Sequence, residues 1–252
     1  MTGPRFWIGT SGWNYGHWRG LFYPQKLAVK HWFEFYSRHF PTVEINNTFY
    51  REPAAETYDR WERQAPEGFR YAVKAHRYLT HRKRLIEPED SLERVIKGAR
   101  RLKEHMGPVL YQLPPYFKRT EEHAARLEAF LELLPGDMQH CVEFRDNSWW
   151  EDEATSAQLR RHNVAFCCHD SGGKETPFVA TAGFAYVRFH GGSAHAGNYA
   201  DSELRSYADR LERLAVQADT VYIYFNNDVG GHAITNAQTL ARMLNVSPAV
   251  PV

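Results

Sequence analysis

Cysteine is scarce in this chain of 252 residues, with three in all: Cys141, Cys167 and Cys168. So small and odd a number excludes a disulfide scaffold. Cys167 and Cys168 are adjacent and Cys141 has no CxxC partner, which excludes zinc-ribbon and thioredoxin patterns and leaves buried, reduced thiols. No apolar run approaches the roughly 20 residues of a membrane span. Charge of one sign is also missing: a formal net charge of +1 excludes a globally basic nucleic-acid binder, though not a local basic patch. Phe6-Trp7-Ile8-Gly9 follows the start at once, with no charged leader and apolar core, so a cytoplasmic location without membrane contact is expected. Asn46-Asn47-Thr48 and Asn245-Val246-Ser247 match a glycosylation sequon, and without a secretory signal they are chance matches. Gly9, Gly12 and Gly16 do not fit G-x-G-x-x-G, and Lys174 follows two glycines without Walker spacing.

What the chain has is core-forming material, 43% hydrophobic residues with seven Trp, fourteen Tyr and fifteen Phe. Strand-like and helix-like segments alternate from end to end. Strands are expected at Phe6–Gly9, Thr42–Thr48, Phe69–His76, Val109–Leu113, from Cys141, and at Val164–Cys168, Phe184–His190 and Val221–Phe225. Between them, Ala28–Phe40, a segment opened by Pro53 and running to about Gln64, and Leu92–Leu102 read as helices, the last closed by Gly107-Pro108. A helix capped by Thr120 and helices over about 152–162, 201–217 and 237–244 complete the series. Lys174–Gly183 is too short and Pro-broken for a long helix. Strict alternation implies a parallel sheet with helices outside. Eight units favour closure, so the expected fold is a single (β/α)8 TIM-type barrel domain over residues 1–252, preferred to an open doubly wound sheet.

Barrel chemistry sits at the C-terminal ends of the strands. Taken in order, those ends carry Ser11, Glu44 and Asn46, Lys74 and His76, Gln112, Glu143 and Arg145, His169 and Asp170, Arg188 and His190, and Asn226 with Asn227. In Cys141-Val142-Glu143-Phe144-Arg145 the period of two puts the charged pair on one face and Val142 and Phe144 on the other. Convergence of Lys74, Arg145 and Arg188 with Glu44 and Glu143 leaves a positive excess that an anion would balance. The bland reading is a closed set of Lys74–Glu44 and Glu143–Arg145 pairs plugging the barrel. Glycines in His190-Gly191-Gly192-Ser193 and in Asn227-Asp228-Val229-Gly230-Gly231-His232 suit backbone binding of phosphate after strands seven and eight.

Glu44, His76, Glu143, His169, Asp170, His190 and His232 supply ligands enough for a divalent ion, so a metal is possible. No spacing such as HExxH assembles them, and Lys74, Arg145 and Arg188 would repel a cation, so no cofactor and no metal site is expected. A Schiff base on Lys74 is a further possibility, with structural pairing preferred. Arg77, Arg82, Lys83 and Arg84, interleaved with Tyr78, suit a phosphate backbone and make nucleic acid a possible partner. The aromatics Trp13, Tyr15, Trp18, Phe49, Tyr50, Tyr116, Phe117, Trp149 and Trp150 in the mouth loops read as packing before stacking.

Several segments in order resemble the YecE-like family, also called domain of unknown function 72. They are Gly9-Thr10-Ser11-Gly12-Trp13, Glu44-Ile45-Asn46-Asn47-Thr48-Phe49-Tyr50, Val73-Lys74 with Thr80-His81, and Gln112-Leu113-Pro114-Pro115. Val142-Glu143-Phe144-Arg145, Val187-Arg188-Phe189-His190-Gly191 and Tyr224-Phe225-Asn226-Asn227-Asp228 continue the series. The resemblance implies a TIM-type barrel and carries no settled activity. The residues point to an enzyme acting on an anionic, phosphorylated or carboxylated small molecule. Glu143 or Glu44 is the expected general base and His190 or His76 the acid. Lys74, Arg145 and Arg188 hold the anion, and Asn46, Gln112, Asn226, Asn227, Gly191 and Gly192 contact substrate. Hydrolase, lyase and isomerase chemistry stay open. The alternatives are a nucleic-acid-binding or metal-dependent nuclease-like repair protein and a non-catalytic ligand-binding protein. Oligomeric state is not legible in the outer helices.

Overall fold

The computed structural model describes residues 5–171, 173–191 and 197–246. Nine strands form one sheet: β1 Arg5–Ser11, β2 Thr42–Ile45, β3 Arg70–Lys74, β4 Met106–Gln112, β5 His140–Glu143, β6 Ala165–Ser171, β7 Lys174–Glu175, β8 Phe184–Phe189 and β9 Thr220–Phe225. Eight run parallel, and pairing of β5 with β6 and of β1 with β9 closes them into a barrel. β7 alone is antiparallel, folding back on β6. The expected (β/α)8 barrel is the observed architecture.

The helices are α1 Trp32–Ser37, α2 Asn47–Tyr50, α3 Ala55–Gln64, α4 Glu89–Arg100, α5 Glu121–Glu132, α6 Glu153–Arg161, α7 Asp201–Ala215 and α8 His232–Met243. No helix follows β6 in residues 176–183, in line with its prolines and shortness. Thr120 caps α5 as its position implies, its hydroxyl accepting the His123 N–H at 3.1 Å. Elsewhere the boundaries differ from expectation. α1 is only six residues long, preceded by a tight 3-10 turn at Val29–His31. Strand β2 stops at Ile45, because Asn47–Tyr50 winds into a helical turn whose Phe49 is buried. Pro53 lies just ahead of α3 rather than in its first turn. Gly107-Pro108 does not close a helix but lies inside β4, where the β3–β4 register shifts between Tyr71 and Val73. A proline without an N–H is tolerated at such an irregularity.

Two apolar layers follow from the strand period. Alternate residues facing outward, among them Ile8, Val43, Val73, Val109, Val142 and Val187, pack beneath the helices. The inward set (Trp7, Ala72, Leu110, Cys141, Ala165, Cys167, Phe184, Tyr186, Tyr222 and Tyr224) fills the barrel. Its small members make room for the rings. The three thiols are free and buried, as expected. Above this plug the inward residues turn polar, and there the mouth begins. Among the described residues no helix is long and apolar enough to cross a membrane.

Candidate active site at the barrel mouth

Arg188 is the centre of the mouth. The period of two along β8 points Tyr186 and Arg188 inward, and neither reaches solvent. A guanidinium is not left bare at 0% exposure, and two carboxylates from distant strands meet it. Its Nη1 donates to Glu143 Oε2 at 2.6 Å and its Nη2 to Glu44 Oε1 at 2.9 Å. The second oxygen of Glu44 accepts from the Tyr186 hydroxyl at 2.7 Å, and Glu143 Oε1 is paired with Arg145 Nε. Both carboxylates are therefore committed. Burial pushes the Glu143 pKa up, but Arg145 and Arg188 outweigh it and hold the acid well below its ordinary range.

His190 closes this network. Its Nδ1 donates to the Asp170 carbonyl at 2.8 Å, so Nε2 is left as an acceptor. There it meets Arg145 Nη2 at 2.6 Å and Arg188 Nη1 at 3.2 Å. Burial and then Arg188 keep the imidazole neutral, its pKa well below the usual value. His169, on the neighbouring strand, donates Nε2–H to the Phe144 carbonyl at 3.1 Å. Its buried Nδ1 has no hydrogen-bond partner among the described residues. Arg145, Trp150, His169, Ser171 and Gln112 line an open cleft of about 380 Å³.

Lys74 stands apart. Only 8% of its surface is exposed. Among the described residues no carboxylate lies within ion-pair distance of its Nζ, which sits 4.4 Å from the centre of the Phe49 ring. The residues outside the description carry no Asp or Glu. Burial and the charge of Arg188, opposed by Glu44 and Glu143, push its pKa down to about 8. Of the two pairs in the bland reading of a plugged barrel, Lys74–Glu44 is not formed, because Arg188 takes Glu44, whereas Glu143–Arg145 is formed.

His81 packs edge-on against the same Phe49 ring, centroids 4.9 Å apart, with Nδ1 at 2.9 Å from the Thr80 hydroxyl. Burial, then Lys74, lower its pKa. It belongs to a π-helical turn, Tyr78–Arg82, that buries Leu79 and Thr80 and turns the expected basic loop into an ordered flank of the mouth. His76 stays half-buried on the rim, its Nδ1 accepting the Tyr78 N–H at 3.3 Å. Asn46 bridges β1 and β9 through Ser11 O and Asn226 Oδ1, both at 3.3 Å, and its own Oδ1 is unpartnered among the described residues. Asn46 also borders a second cleft of about 610 Å³, whose walls include Trp13, Tyr15, Tyr50 and Trp61.

Other expected contacts point elsewhere. Asn227 lies one residue out of phase with Asn226 and ties the chain after β8 to α8, donating to Gly197 O at 2.8 Å and Asn236 Oδ1 at 2.9 Å. Asp170 faces the same way and accepts from the Tyr199 hydroxyl and from His190 N–H. Gly191 does not offer its N–H to a phosphate; the Tyr199 hydroxyl accepts it at 2.8 Å. A Cβ on Gly191 would lie 2.8 Å from Gly197 O, so the glycine serves the close passage of two chain segments. Gly192 and Ser193 lie outside the described residues. Among those described, no three His, Cys, Asp or Glu side chains gather into a metal-holding group. Sequence reasoning passed over Tyr186, which the period of two along β8 places beside Arg188. His81 lies in the segment expected beyond strand three and in the Thr80-His81 match, but sequence reasoning assigns it no role there.

The profile of the family described as "Protein of unknown function DUF72" matches residues 7–251. The chain belongs to the DUF72 family. UPF0759 protein YunF of Bacillus subtilis (strain 168) is 28% identical to this DUF72 chain, over 95% of each protein. UPF0759 protein YecE of Escherichia coli (strain K12) is 30% identical over 59% of this chain and 53% of its own length. The crystal structure of a DUF72 family protein, TM1631 of Thermotoga maritima MSB8, superposes with a TM-score of 0.86 at 28% identity, covering 96% of this chain and 99% of that one. A second DUF72 structure, EF0366 of Enterococcus faecalis V583, has a TM-score of 0.79 over 98% of both chains at 19% identity, a likeness of fold.

Proposed function

We propose that this DUF72 protein is an enzyme that takes an anionic small molecule, carrying phosphate or carboxylate, into the mouth of the barrel. The observation that carries the reading is the unmatched ammonium of Lys74. Lys74, Arg145 and Arg188 face two carboxylates, Glu44 and Glu143, and among the described residues Lys74 is the cation of the three without an ion pair. A buried charge without a partner is costly, and a ligand anion removes that cost. Arg145, at the edge of the cleft with Gln112, adds a second anchor, and Asn46, held by Asn226, orients the part of the ligand nearer the aromatic cleft.

Proton transfer is assigned differently from the sequence expectation. Glu44 and Glu143 are occupied by Arg188, Arg145 and Tyr186, and serve as counter-ions rather than bases. His190 has no proton on Nε2 to donate, so it acts as an acceptor that fixes both guanidiniums. Lys74 and His81 remain as the groups whose protons are free to move, with His76 at the rim. General acid–base work by such groups needs reach and a pKa near the working pH.

A nucleic-acid reading draws on Arg77, whose guanidinium lies 5.9 Å from the ring centre of Tyr50, and on exposed Arg82 and Arg84; Lys83 is engaged by Glu87. One thermal-shift screen tests both. Ligands that bind the native state raise its melting temperature. Stabilisation by phosphate, sugar phosphates or carboxylates, lost in Lys74→Met and Arg145→Ala, supports the anion reading. Stabilisation by oligonucleotides alone, steeply salt-dependent and lost in Arg82→Ala/Arg84→Ala, replaces it with the other. No response to any small anion overturns it.

A further inference from the structure

We infer that Lys74 is a covalent nucleophile that forms an imine with the aldehyde or ketone group of its substrate. The inference deepens the anion reading and rests on it for the ligand's charge: the substrate class becomes an anionic carbonyl compound, such as a 2-oxo acid or a phosphorylated aldose or ketose. The argument begins with what an anchoring lysine requires. An anchor works best fully protonated, and an ordinary exposed lysine already meets that need. Lys74 is instead buried, has no carboxylate within ion-pair distance among the described residues, and shares the mouth with two guanidiniums. Each of these features disfavours the ammonium and enriches the free amine, which a nucleophile needs and a mere anchor does not. The nearby carboxylates restore the charge only in part, because three of their oxygens accept from Arg188 and Tyr186 and the fourth is ion-paired with Arg145.

The surroundings suit the chemistry. Phe49 covers one side of the amine, its ring centre 4.4 Å from Nζ. His81, on the same ring, is the group placed to carry protons between nitrogen and oxygen. The lone pair of neutral Nζ adds to the carbonyl carbon, and the C–O π bond breaks toward oxygen, which takes up a proton while nitrogen loses one. In the resulting carbinolamine the nitrogen lone pair expels the oxygen as water, protonated a second time by the proton that the ammonium gave up on becoming the free amine, returned through His81. The product is a protonated imine and one water, with no oxidant or reductant consumed. The iminium keeps a positive charge in the mouth, so the anionic group of the substrate still finds its counter-charge there.

The test is reductive trapping. The full-length protein is treated with sodium cyanoborohydride together with pyruvate, glyoxylate or glyceraldehyde 3-phosphate, with acetone as the neutral comparison, and adducts are located by peptide mass spectrometry. The expected result is an adduct on Lys74 in large excess over exposed Lys30, Lys97 and Lys103, absent in Lys74→Arg, which keeps the charge and serves as the folding control. No adduct with any probe, or adducts spread without preference for Lys74, overturns the imine. Two mixed results separate it from the reading beneath it. Stabilisation by phosphate or carboxylates without trapping at Lys74 keeps the anion reading and overturns the imine. Equal trapping by acetone and pyruvate keeps the imine and removes the preference for an anion.

Discussion

At the scale of single residues, the mouth is a competition for two carboxylates, and Arg188 wins it. Its planar fork reaches Glu44 and Glu143 together, whereas an ammonium is a point charge with no such geometry. The loser has a measurable signature. The Lys74 pKa is about 8 in the folded chain against an ordinary 10.5, so between those values the folded state binds fewer protons than the unfolded one. Stability therefore rises with pH through that window, and below it the full penalty is present. At 1.36 kcal/mol per pKa unit the penalty is at most about 3 kcal/mol. Lys74→Met is accordingly expected to stabilise the protein at pH 7 by roughly 1–3 kcal/mol, and to abolish the rise between pH 8 and 10 in urea unfolding. Destabilisation by this change would show that the ammonium is well partnered. Glu143→Gln acts in the opposite sense. It leaves two guanidiniums short of a counter-ion, and a loss of about 3–5 kcal/mol is expected in the same unfolding experiment.

At the scale of elements, hydrophobic period and turn chemistry exposed most of the structure. Leu204, Tyr207, Leu211 and Leu214 form the buried stripe of α7, and Thr120 caps α5, as their spacing implies. Failures came where tertiary contacts overrode local rules. Helix α8 begins at His232, five residues ahead of the apolar signal at Ala237, with Ala233 and Ile234 already buried. The segment after β3 read as a basic loop, yet it winds as a π-helix and then holds Arg84, Leu85 and Glu87 at positive φ. Such backbone persists only where surroundings enforce it, and it often flanks functional sites. Gly9 is the element-scale weak point. A Cβ there would lie 2.1 Å from the Thr42 carbonyl oxygen on β2, closer than any side-chain carbon is found. Gly9→Ala must separate β1 from β2, and a loss of more than about 4 kcal/mol, read as a fall in denaturation midpoint or in soluble yield, is expected.

At the scale of the whole molecule, buried and paired ionisable groups set the response to acid. Burial lowers the His140 pKa from 6.5 to about 4; its ring lies between the Tyr111 hydroxyl and the Pro135 carbonyl. The folded state then binds fewer protons than the unfolded one between those values, so stability is lost as pH falls from 6.5 through 4, by about 3 kcal/mol at most. Glu128, opposed by burial but held down to about 2 by His162, Arg161 and Gln158, contributes stability above pH 4.5 that disappears as pH falls toward 2. Both act in the same direction. Melting temperatures are expected to fall steeply between pH 6.5 and 4, with His140→Gln flattening that limb. A flat wild-type profile across this range would contradict it.

What the sequence determined by itself was the barrel and much of the membership of its mouth. Both follow from local facts, the period of two along each strand and the order in which strands and helices alternate. That is why Glu44, Lys74, Gln112, Glu143, Arg145, Arg188 and His190 are legible in the chain alone. Only the tertiary structure decided who pairs with whom. Arg188 meets carboxylates 45 and 144 residues away across a closed sheet, and Asn226 and Asn227 part company because one faces inward and the other out. Those choices depend on side-chain reach and on competition between strands brought together by closure, neither of which is written in any short stretch of chain. The lysine they leave unmatched is where the chemistry is proposed to begin.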